Sequence, residues 1–173
     1  MPVKLIKCGM VIAAIQIVCT LNAAAQRMLP SADVRELSGK SINTSTISNN
    51  GKPMILFIWE VTCQPCIAEF MAVSRKYDSW KNETGVKIVA ISVDDSRSSG
   101  RVLPLVRGKG WEFEFYTDAN QAFKRAMNVT YCPYVFVVNG KGEICWQKSG
   151  YAPGDETLIY SIVKKVLKGE KPD

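Results

Sequence analysis

The chain of 173 residues is long enough to form one domain with a substantial hydrophobic core. Apolar residues make up 47% and charged residues 22% of the sequence, a balance that excludes a disordered chain. The formal net charge is +6, but no basic run is interleaved with aromatic residues, so nothing in the sequence supports nucleic-acid binding.

Residues 1–25 have the pattern of a signal peptide. Lys4 and Lys7 form a short positive region, residues 8–21 are mostly apolar, and three small alanines follow. We therefore predict cleavage after Ala25 and export to the periplasm or another compartment outside the cytoplasm.

Two alternatives to cleavage stay open for this segment. One is an uncleaved membrane anchor, although the apolar stretch is shorter than the roughly 20 residues that a spanning helix needs. The other is a lipid anchor on Cys19, which fits less well because Gln16 stands where an apolar residue is expected. After cleavage four cysteines remain, in an oxidising compartment that favours disulfides between close pairs: Cys63, Cys66, Cys132 and Cys145.

The remaining sequence follows the pattern of an α/β domain. Residues 26–50 are polar and form a lead-in segment with at most short strands, and the domain proper is expected over residues 51–173. Residues 54–59 are a continuous apolar run, which predicts a strand buried on both faces. A helix is predicted over residues 66–81, where apolar residues recur at three- and four-residue spacing.

A second buried strand is predicted over residues 86–93, which completes a right-handed βαβ unit with parallel strands. The later elements add an antiparallel hairpin, so we expect a mixed sheet flanked by helices. These elements are a helix over 101–107, a strand over 113–116, a helix over 120–127, a hairpin of strands 134–138 and 144–147 around a turn at 139–142, and a final helix over 158–166.

The motif Cys63-Gln64-Pro65-Cys66 lies where the first buried strand ends and the first helix begins. The unsatisfied N–H groups and the positive dipole end of a helix N-terminus both favour a thiolate. Cys63 is the better placed nucleophile, and Cys66 is close enough to close a ring with it. Pro65 suits helix entry because its φ is fixed and it lacks an N–H. Such a pair can exchange disulfides through a mixed-disulfide intermediate.

Other interpretations of this motif have less support. Half of a zinc site is one, but zinc needs about four ligands and the chain has no histidine. Cys132 and Cys145 could complete a four-cysteine set, although they are not spaced as a second CxxC motif. Haem attachment is excluded because Ile67 stands where histidine is required. A purely structural disulfide stays open, and no resident metal is predicted.

Four stretches carry a resemblance to the thioredoxin-like superfamily, specifically to its exported TlpA/ResA-like branch. The resemblance extends from about Val34 to the C-terminus. The stretches are Phe57-Ile-Trp-Glu-Val-Thr-Cys-Gln-Pro-Cys66, Ala90-Ile-Ser-Val-Asp-Asp95, Tyr131-Cys-Pro-Tyr-Val-Phe-Val-Val-Asn-Gly-Lys-Gly142 and Ser149-Gly-Tyr-Ala-Pro-Gly-Asp-Glu156.

The resemblance implies a thioredoxin fold in which Pro133 is a cis-proline facing the cysteine pair. The backbone of its loop would hold the substrate polypeptide, and Trp59, Thr62, Pro65 and Cys132 are the other expected substrate-binding residues. The resemblance also implies a reductant of exported proteins that is recharged by a membrane electron carrier. No organic cofactor is needed, and we expect a monomer.

Three positions depart from the family pattern or distinguish its branches. Thr62 stands where relatives usually carry Trp, and its hydroxyl is predicted to cap the helix. Phe57 replaces the buried acid of thioredoxin proper, whereas Glu69 matches a Glu of the TlpA/ResA-like branch. Spacing puts Glu69 on the same helix face as Cys66, which makes it the candidate proton acceptor and donor for Cys66. The alternative is a first-turn Glu that only complements the helix dipole.

The third departure is Cys132, directly before the expected cis-proline. It is either a third redox thiol, able to trap Cys63 or to help bind a soft metal, or a small apolar side chain that fills its site. Cys145 is expected to pack in the core, although a Cys132–Cys145 disulfide stays open. Asp94 and Asp95 are expected to lie in a solvated loop.

Two functional hypotheses follow. In the first, an enzyme, the Cys63 thiolate attacks a substrate disulfide and Cys66 resolves the mixed disulfide with the help of Glu69. In the second, a carrier protein holds a thiophilic metal such as Cu(I) on Cys63 and Cys66, with or without Cys132. The absence of histidine weakens the second hypothesis.

Overall fold

The computed structural model describes residues 27–172, so the predicted signal peptide lies outside the described residues. No helix in this range is both long enough and apolar enough to cross a bilayer. The strands and α-helices of this range, in chain order, are β1 (Asp33–Glu36), β2 (Ser41–Asn43), β3 (Gly51–Trp59), α1 (Gln64–Thr84), β4 (Lys87–Ser92), α2 (Val102–Lys109), β5 (Glu114–Thr117), α3 (Ala122–Ala126), β6 (Tyr134–Gly140), β7 (Ile144–Ser149) and α4 (Asp155–Leu167).

These strands form one mixed sheet in the order β2-β1-β5-β4-β3-β6-β7. β3, β4 and β5 are parallel, β6 is antiparallel to β3, and β7 is antiparallel to β6. α1 connects β3 to β4, as the βαβ prediction requires. The lead-in segment contributes β1 and β2, and β1 joins the sheet beside β5. The thioredoxin fold with a mixed sheet and flanking helices is therefore confirmed.

β3 is apolar from Met54 to Trp59, where both of its faces are covered, whereas Gly51 and Lys52 at its start are exposed. Side chains alternate between the two faces of a strand. Ile55 and Phe57 belong to the core cluster built with α1, α2 and α4, whereas Leu56 and Ile58 belong to the cluster built with α3, β1 and β6. From Met54 onward the strand therefore has no solvent-facing side, and its end at Trp59 is fixed relative to the helices around it.

The ends of the helices differ from the predicted ones for local reasons. α1 begins at Gln64, two residues before the predicted start, and extends to Thr84. It ends at Gly85, whose φ of 66° is left-handed and whose N–H donates to the Lys81 carbonyl at 2.8 Å. α4 begins at Asp155, before its apolar stripe starts, because acidic residues favour the first turn of a helix.

Replacing Phe70 by Ala tests the core around β3. Phe70 is completely buried and its ring meets those of Phe57 and Trp59. We expect the free energy of unfolding to fall by about 3–5 kcal/mol, measured by urea denaturation of the oxidised protein. Met71→Ala, at an exposed position of the same helix, is the matched control and should cost less than about 0.5 kcal/mol. Equal losses in the two variants would contradict this description of the core.

Candidate active site

The turn between β3 and α1 places Cys63 at the N-cap position of the helix. The Cys63 N–H donates to the Glu60 carbonyl at 3.1 Å, which closes the turn after the strand. The Cys66 N–H donates to Cys63 Sγ at 3.2 Å, and Pro65 lies in the first turn. The predicted capping by Thr62 is therefore wrong: the sulfur of Cys63 takes that role, because the helix begins one residue later than a Thr62 cap requires.

Cys63 and Cys66 form a disulfide in this structure, so the two predicted catalytic sulfurs are brought together. Cys63 is partly exposed, whereas Cys66 is completely buried. Thr62, Gln64 and Pro65 around them are exposed. A polypeptide can therefore reach Cys63 directly, while Cys66 is accessible only to Cys63. This is the asymmetry that a nucleophile and a resolving thiol require.

The buried carboxylate of Asp94 holds the turn between β3 and α1 in place. Asp94 Oδ2 accepts hydrogen bonds from the Val61 N–H at 2.9 Å and from the Ser92 hydroxyl at 2.7 Å. Asp94 is only 5% exposed, so the expectation that it lies in a solvated loop is wrong. Asp95 does lie at the surface, where it accepts from the backbone of a short turn. Asp94 was missed because the sequence does not show that an acid after a buried strand meets a donor from another element.

Glu69, three residues after Cys66 on α1, is buried. Its side chain is 1% exposed, and neither carboxyl oxygen has a hydrogen-bond partner within residues 27–172. Burial raises the pKa of Glu69 from 4.5 to about 8, nearby Asp155 raises it further and Lys148 lowers it. Because α1 begins at Gln64 and has no acidic residue in its first turn, the alternative of a first-turn Glu that only complements the helix dipole is wrong. A buried carboxyl without partners can take up and release a proton without breaking a hydrogen bond.

The loop before β6 supplies Cys132 and Pro133. Their peptide bond is cis, as the resemblance implied, and the Pro133 carbonyl accepts from the Gly150 N–H at 2.9 Å. Cys132 is a free thiol that packs against both core clusters. Burial raises its pKa to about 12, with Glu60 raising it further and Lys124 lowering it. The thiol is thus neutral at physiological pH, which favours the small apolar filler over a reactive third thiol.

Cys145 on β7 is also a free thiol and packs against the core, as expected. Its sulfur contacts the Glu143 carbonyl at 3.5 Å, and burial raises its pKa. No Cys132–Cys145 disulfide is present in the structure. Within the part of the chain that the structure describes, no three His, Cys, Asp or Glu side chains group closely enough to hold a metal ion. The proposed three-thiol Cu(I) site therefore has no described ligand cluster to support it.

The exposure of two aromatic residues differs from what a binding surface built on Trp59 requires: Trp59 is buried, whereas Tyr131 is exposed. Trp59, predicted to bind substrate, has 0% exposure and packs edge-on against Trp111 and Phe115. It supports the site from inside because it ends a strand that is buried on both faces. Tyr131, directly before Cys132, is 58% exposed. Its hydroxyl forms a hydrogen bond with the Ser149 hydroxyl at 3.0 Å. No sequence pattern distinguished this exposed ring from a buried one.

Comparisons with known proteins agree with this geometry. The sequence profile of the AhpC/TSA family matches residues 25–147. The chain is 27% identical over 141 residues to the thiol-disulfide oxidoreductase ResA of Bacillus subtilis, a match that covers 82% of this chain and 75% of that protein. It is 24% identical over 130 residues to the thiol:disulfide interchange protein DsbE of Haemophilus influenzae, which covers 75% of this chain and 68% of that protein.

Solved structures of thioredoxin-like proteins have a similar fold. A thioredoxin-like protein from Porphyromonas gingivalis is 39% identical, with a TM-score of 0.73 and coverage of 81% of this chain and 92% of that one. A thiol:disulfide interchange protein DsbE from Chlorobium tepidum has a TM-score of 0.71 at 20% identity, with coverage of 82% and 96%. The second likeness shows the fold alone. The first joins fold and sequence over most of both chains.

The raised pKa of Glu69 predicts a pH-dependent stability. Between pH 5 and about 8 the folded protein holds a proton on Glu69 that the unfolded chain has lost. Unfolding then releases this proton, so the free energy of unfolding falls as pH rises, by up to about 1.4 kcal/mol per pH unit. The chain has no histidine to titrate in this window. In the oxidised protein, Glu69→Gln should flatten the slope, and Asp78→Asn, at an exposed position of α1, should leave it unchanged. A slope that persists in Glu69→Gln would contradict the raised pKa.

Proposed function

Because the chain belongs to the AhpC/TSA family of thioredoxin-like proteins and is a thiol–disulfide oxidoreductase, we propose that it reduces disulfide bonds of exported proteins with the Cys63–Cys66 couple. The observation that carries the proposal is the asymmetry of the pair at the N-terminus of α1. Cys63 is reachable, Cys66 is enclosed, and a buried carboxyl lies on the same helix face as Cys66.

The first step forms a mixed disulfide. The Cys63 thiolate, stabilised by the N-terminal end of α1, attacks one sulfur of a substrate disulfide. A bond forms between Cys63 and that sulfur, the substrate disulfide breaks, and the other substrate sulfur leaves as a thiolate. The exposed Pro65 and the backbone at Pro133 hold the substrate segment on either side of the reacting sulfur.

The second step releases the substrate. Glu69 in its ionised form takes the proton of Cys66, and the resulting thiolate attacks the sulfur of Cys63. The bond between Cys63 and the substrate sulfur breaks, the Cys63–Cys66 disulfide forms, and the second substrate sulfur leaves as a thiolate. Both substrate thiolates take protons from solvent, and Glu69 returns the proton of Cys66 to solvent. The substrate has then gained two electrons and two protons, and the cysteine pair has lost two electrons and given up its protons to solvent.

The charges around the couple support a reductant. A low thiolate pKa stabilises the reduced form and makes a dithiol–disulfide pair oxidising. Here Glu60 lies in the turn and Asp94 accepts from the Val61 N–H within it, and the first turn of α1 contains no basic residue. The Lys124 ammonium pairs with the Glu60 carboxylate at 3.7 Å, so its positive charge is partly offset before it reaches the thiolate. A weakly stabilised thiolate favours electron donation.

The setting of the reaction is part of the proposal. The N-terminal pattern of residues 1–25 supports export to the periplasm, either with cleavage or with retention as a membrane anchor. In an oxidising compartment the couple must be reduced again after each turnover, so we propose a membrane electron carrier as its donor. The chain acts as a monomer, and the redox disulfide replaces any organic cofactor.

A redox titration with thiol trapping and mass analysis, resolved by cysteine, tests the function. We expect one reversible two-electron step confined to Cys63 and Cys66, with a midpoint of about −270 mV as for a reductant. Cys132 and Cys145 should stay reduced throughout and serve as internal controls. A midpoint of about −120 mV would make the protein an oxidant. A couple that cannot cycle would overturn the oxidoreductase proposal.

Tyr131 supplies the exposed aromatic contact that Thr62 lacks. Truncating a buried interface tyrosine costs about 1 kcal/mol or more, equivalent to about fivefold in rate. We therefore expect Tyr131→Ala to lower kcat/KM at least about fivefold for insulin, a protein disulfide, and to leave glutathione disulfide reduction unchanged. Tyr131→Phe keeps the ring and loses only the bond to Ser149, so it should retain insulin reduction. Equal losses on both substrates would indicate a structural role instead.

A further inference from the structure

An ion pair links the turn before Cys63 to helix α3. Glu60 follows directly after β3, and its carbonyl accepts a hydrogen bond from the Cys63 N–H at 3.1 Å. The carboxylate oxygen Oε1 of Glu60 lies 3.7 Å from Nζ of Lys124 on α3. Neither side chain takes part in the reaction steps described above, although the pair adjoins the turn that carries the reactive sulfur.

Lys124 stands at the start of the segment that leads to the cis-proline. Its N–H donates to the buried carboxylate of Asp118 at 2.9 Å, and its carbonyl accepts from the Val129 N–H at 3.1 Å. From Val129 the chain runs to the cis peptide bond between Cys132 and Pro133. The backbone of Lys124 is therefore held at both its N–H and its carbonyl, at the base of the loop that holds the substrate segment in the proposed function.

The strand register brings Glu60 and this loop to the same end of the sheet. β3 is antiparallel to β6, and Ile58 stands opposite Tyr134. Two residues beyond this pair, the two chains reach Glu60 and Cys132. Cys63 and Cys132 also pack against one core cluster. The ion pair thus bridges the two segments between which a substrate disulfide has to enter.

The two charges of the pair differ in their exposure. The side chain of Glu60 is 35% exposed and that of Lys124 is 15% exposed, so a substrate meets mainly the negative charge. Their separation of 3.7 Å is too long for a hydrogen bond, which leaves the carboxylate able to accept one from an incoming cation. The exposed neighbours of the cysteine pair in the sequence are uncharged: Thr62, Gln64 and Pro65.

We propose that Glu60 and Lys124 make the substrate cleft selective for charge, so that it favours protein disulfides with a Lys or Arg beside the reacting cysteine. A basic substrate residue is attracted by the Glu60 carboxylate, and an acidic one is repelled by it. Lys124 moderates this preference because it offsets part of the negative charge. The inference rests on the proposed function, since it concerns the choice among substrates of that reaction.

The two charges act in opposite directions, which gives the test its signs. Without the carboxylate of Glu60, the attraction for a basic substrate residue is lost. Without the ammonium of Lys124, the carboxylate is unopposed and the attraction grows. A merely structural role would not separate the two residues in this way, because either substitution breaks the same ion pair.

The experiment compares two synthetic peptide disulfides that differ only in a Lys or a Glu directly before the cysteine. The fully reduced protein is mixed with each peptide in a single turnover, and the ratio of the two second-order rate constants is measured. Both peptides are attacked by the same Cys63 thiolate, so any change in its intrinsic reactivity cancels in the ratio. This cancellation matters because the same charges also act on the thiolate.

We expect the wild-type protein to reduce the Lys peptide about three- to fivefold faster than the Glu peptide at low salt, the factor that a partly exposed ion pair supplies. Glu60→Gln should lower the ratio to about one or below, and Lys124→Gln should raise it above the wild-type value. In about 1 M salt the wild-type ratio should also approach one, because the screening length falls to about 3 Å.

Two further variants control the test. Lys124→Arg keeps the charge and should retain the wild-type ratio. Lys87→Gln breaks the ion pair between Lys87 and Glu114, 3.0 Å apart, at the opposite end of the parallel strands, and should leave the ratio unchanged. If Glu60→Gln does not fold, Lys124→Gln and the salt dependence decide the question.

The outcomes separate this inference from the proposed function. Equal rates with the two peptides in the wild-type protein, or a preference for the Glu peptide, overturn charge selection even though both disulfides are reduced. A ratio that stays the same in Glu60→Gln while both rates fall assigns the pair a structural role, which also overturns it. A wild-type protein that reduces neither peptide overturns the proposed function, and the inference falls with it.

Discussion

The burial of β3 on both faces is the constraint on which the rest of the structure depends. Helices have to cover the strand on each side, and its last residue, Trp59, is locked among the rings of α1 and β5. The chain leaves the sheet at the carboxyl end of β3, and Cys63 caps the helix that follows. A rigid strand thus delivers a reactive sulfur to a helix N-terminus, so the reactivity of Cys63 follows from packing as much as from its neighbours in sequence.

Two buried acids, Asp94 and Glu69, differ in their hydrogen bonds, and this difference gives the first a structural role and the second a candidate role in proton transfer. Asp94 accepts from the Val61 N–H and the Ser92 hydroxyl, so its carboxylate is committed to holding the turn. Glu69 has no such partners within the described residues, and burial raises its pKa to about 8. A buried acid with donors fixes geometry, whereas one without donors has a raised pKa and can exchange its proton.

Most of the fold could be predicted because its signals are local. The apolar run of β3 and the helical spacing of Phe70, Val73 and Tyr77 each depend on neighbouring residues alone. The helix ends were less accurate, since α1 begins where a cysteine sulfur, rather than the Thr62 hydroxyl, caps it. The positions of Trp59 and Tyr131 were not predictable, because an aromatic residue reads the same in sequence whether neighbouring elements cover it or leave it exposed.

Spacing within one segment was sufficient to identify the reactive pair, its place at a strand–helix junction and the candidate acid on the same helix face. Packing in three dimensions leaves Glu69 without a hydrogen-bond partner within the described residues, places Asp94 at the turn, and exposes the buried carboxyl to the opposed charges of Asp155 and Lys148. These features depend on groups from α1, β4, β7 and α4 that are distant in sequence. Their ionisation depends on burial and on through-space charge, which distances along the chain do not encode.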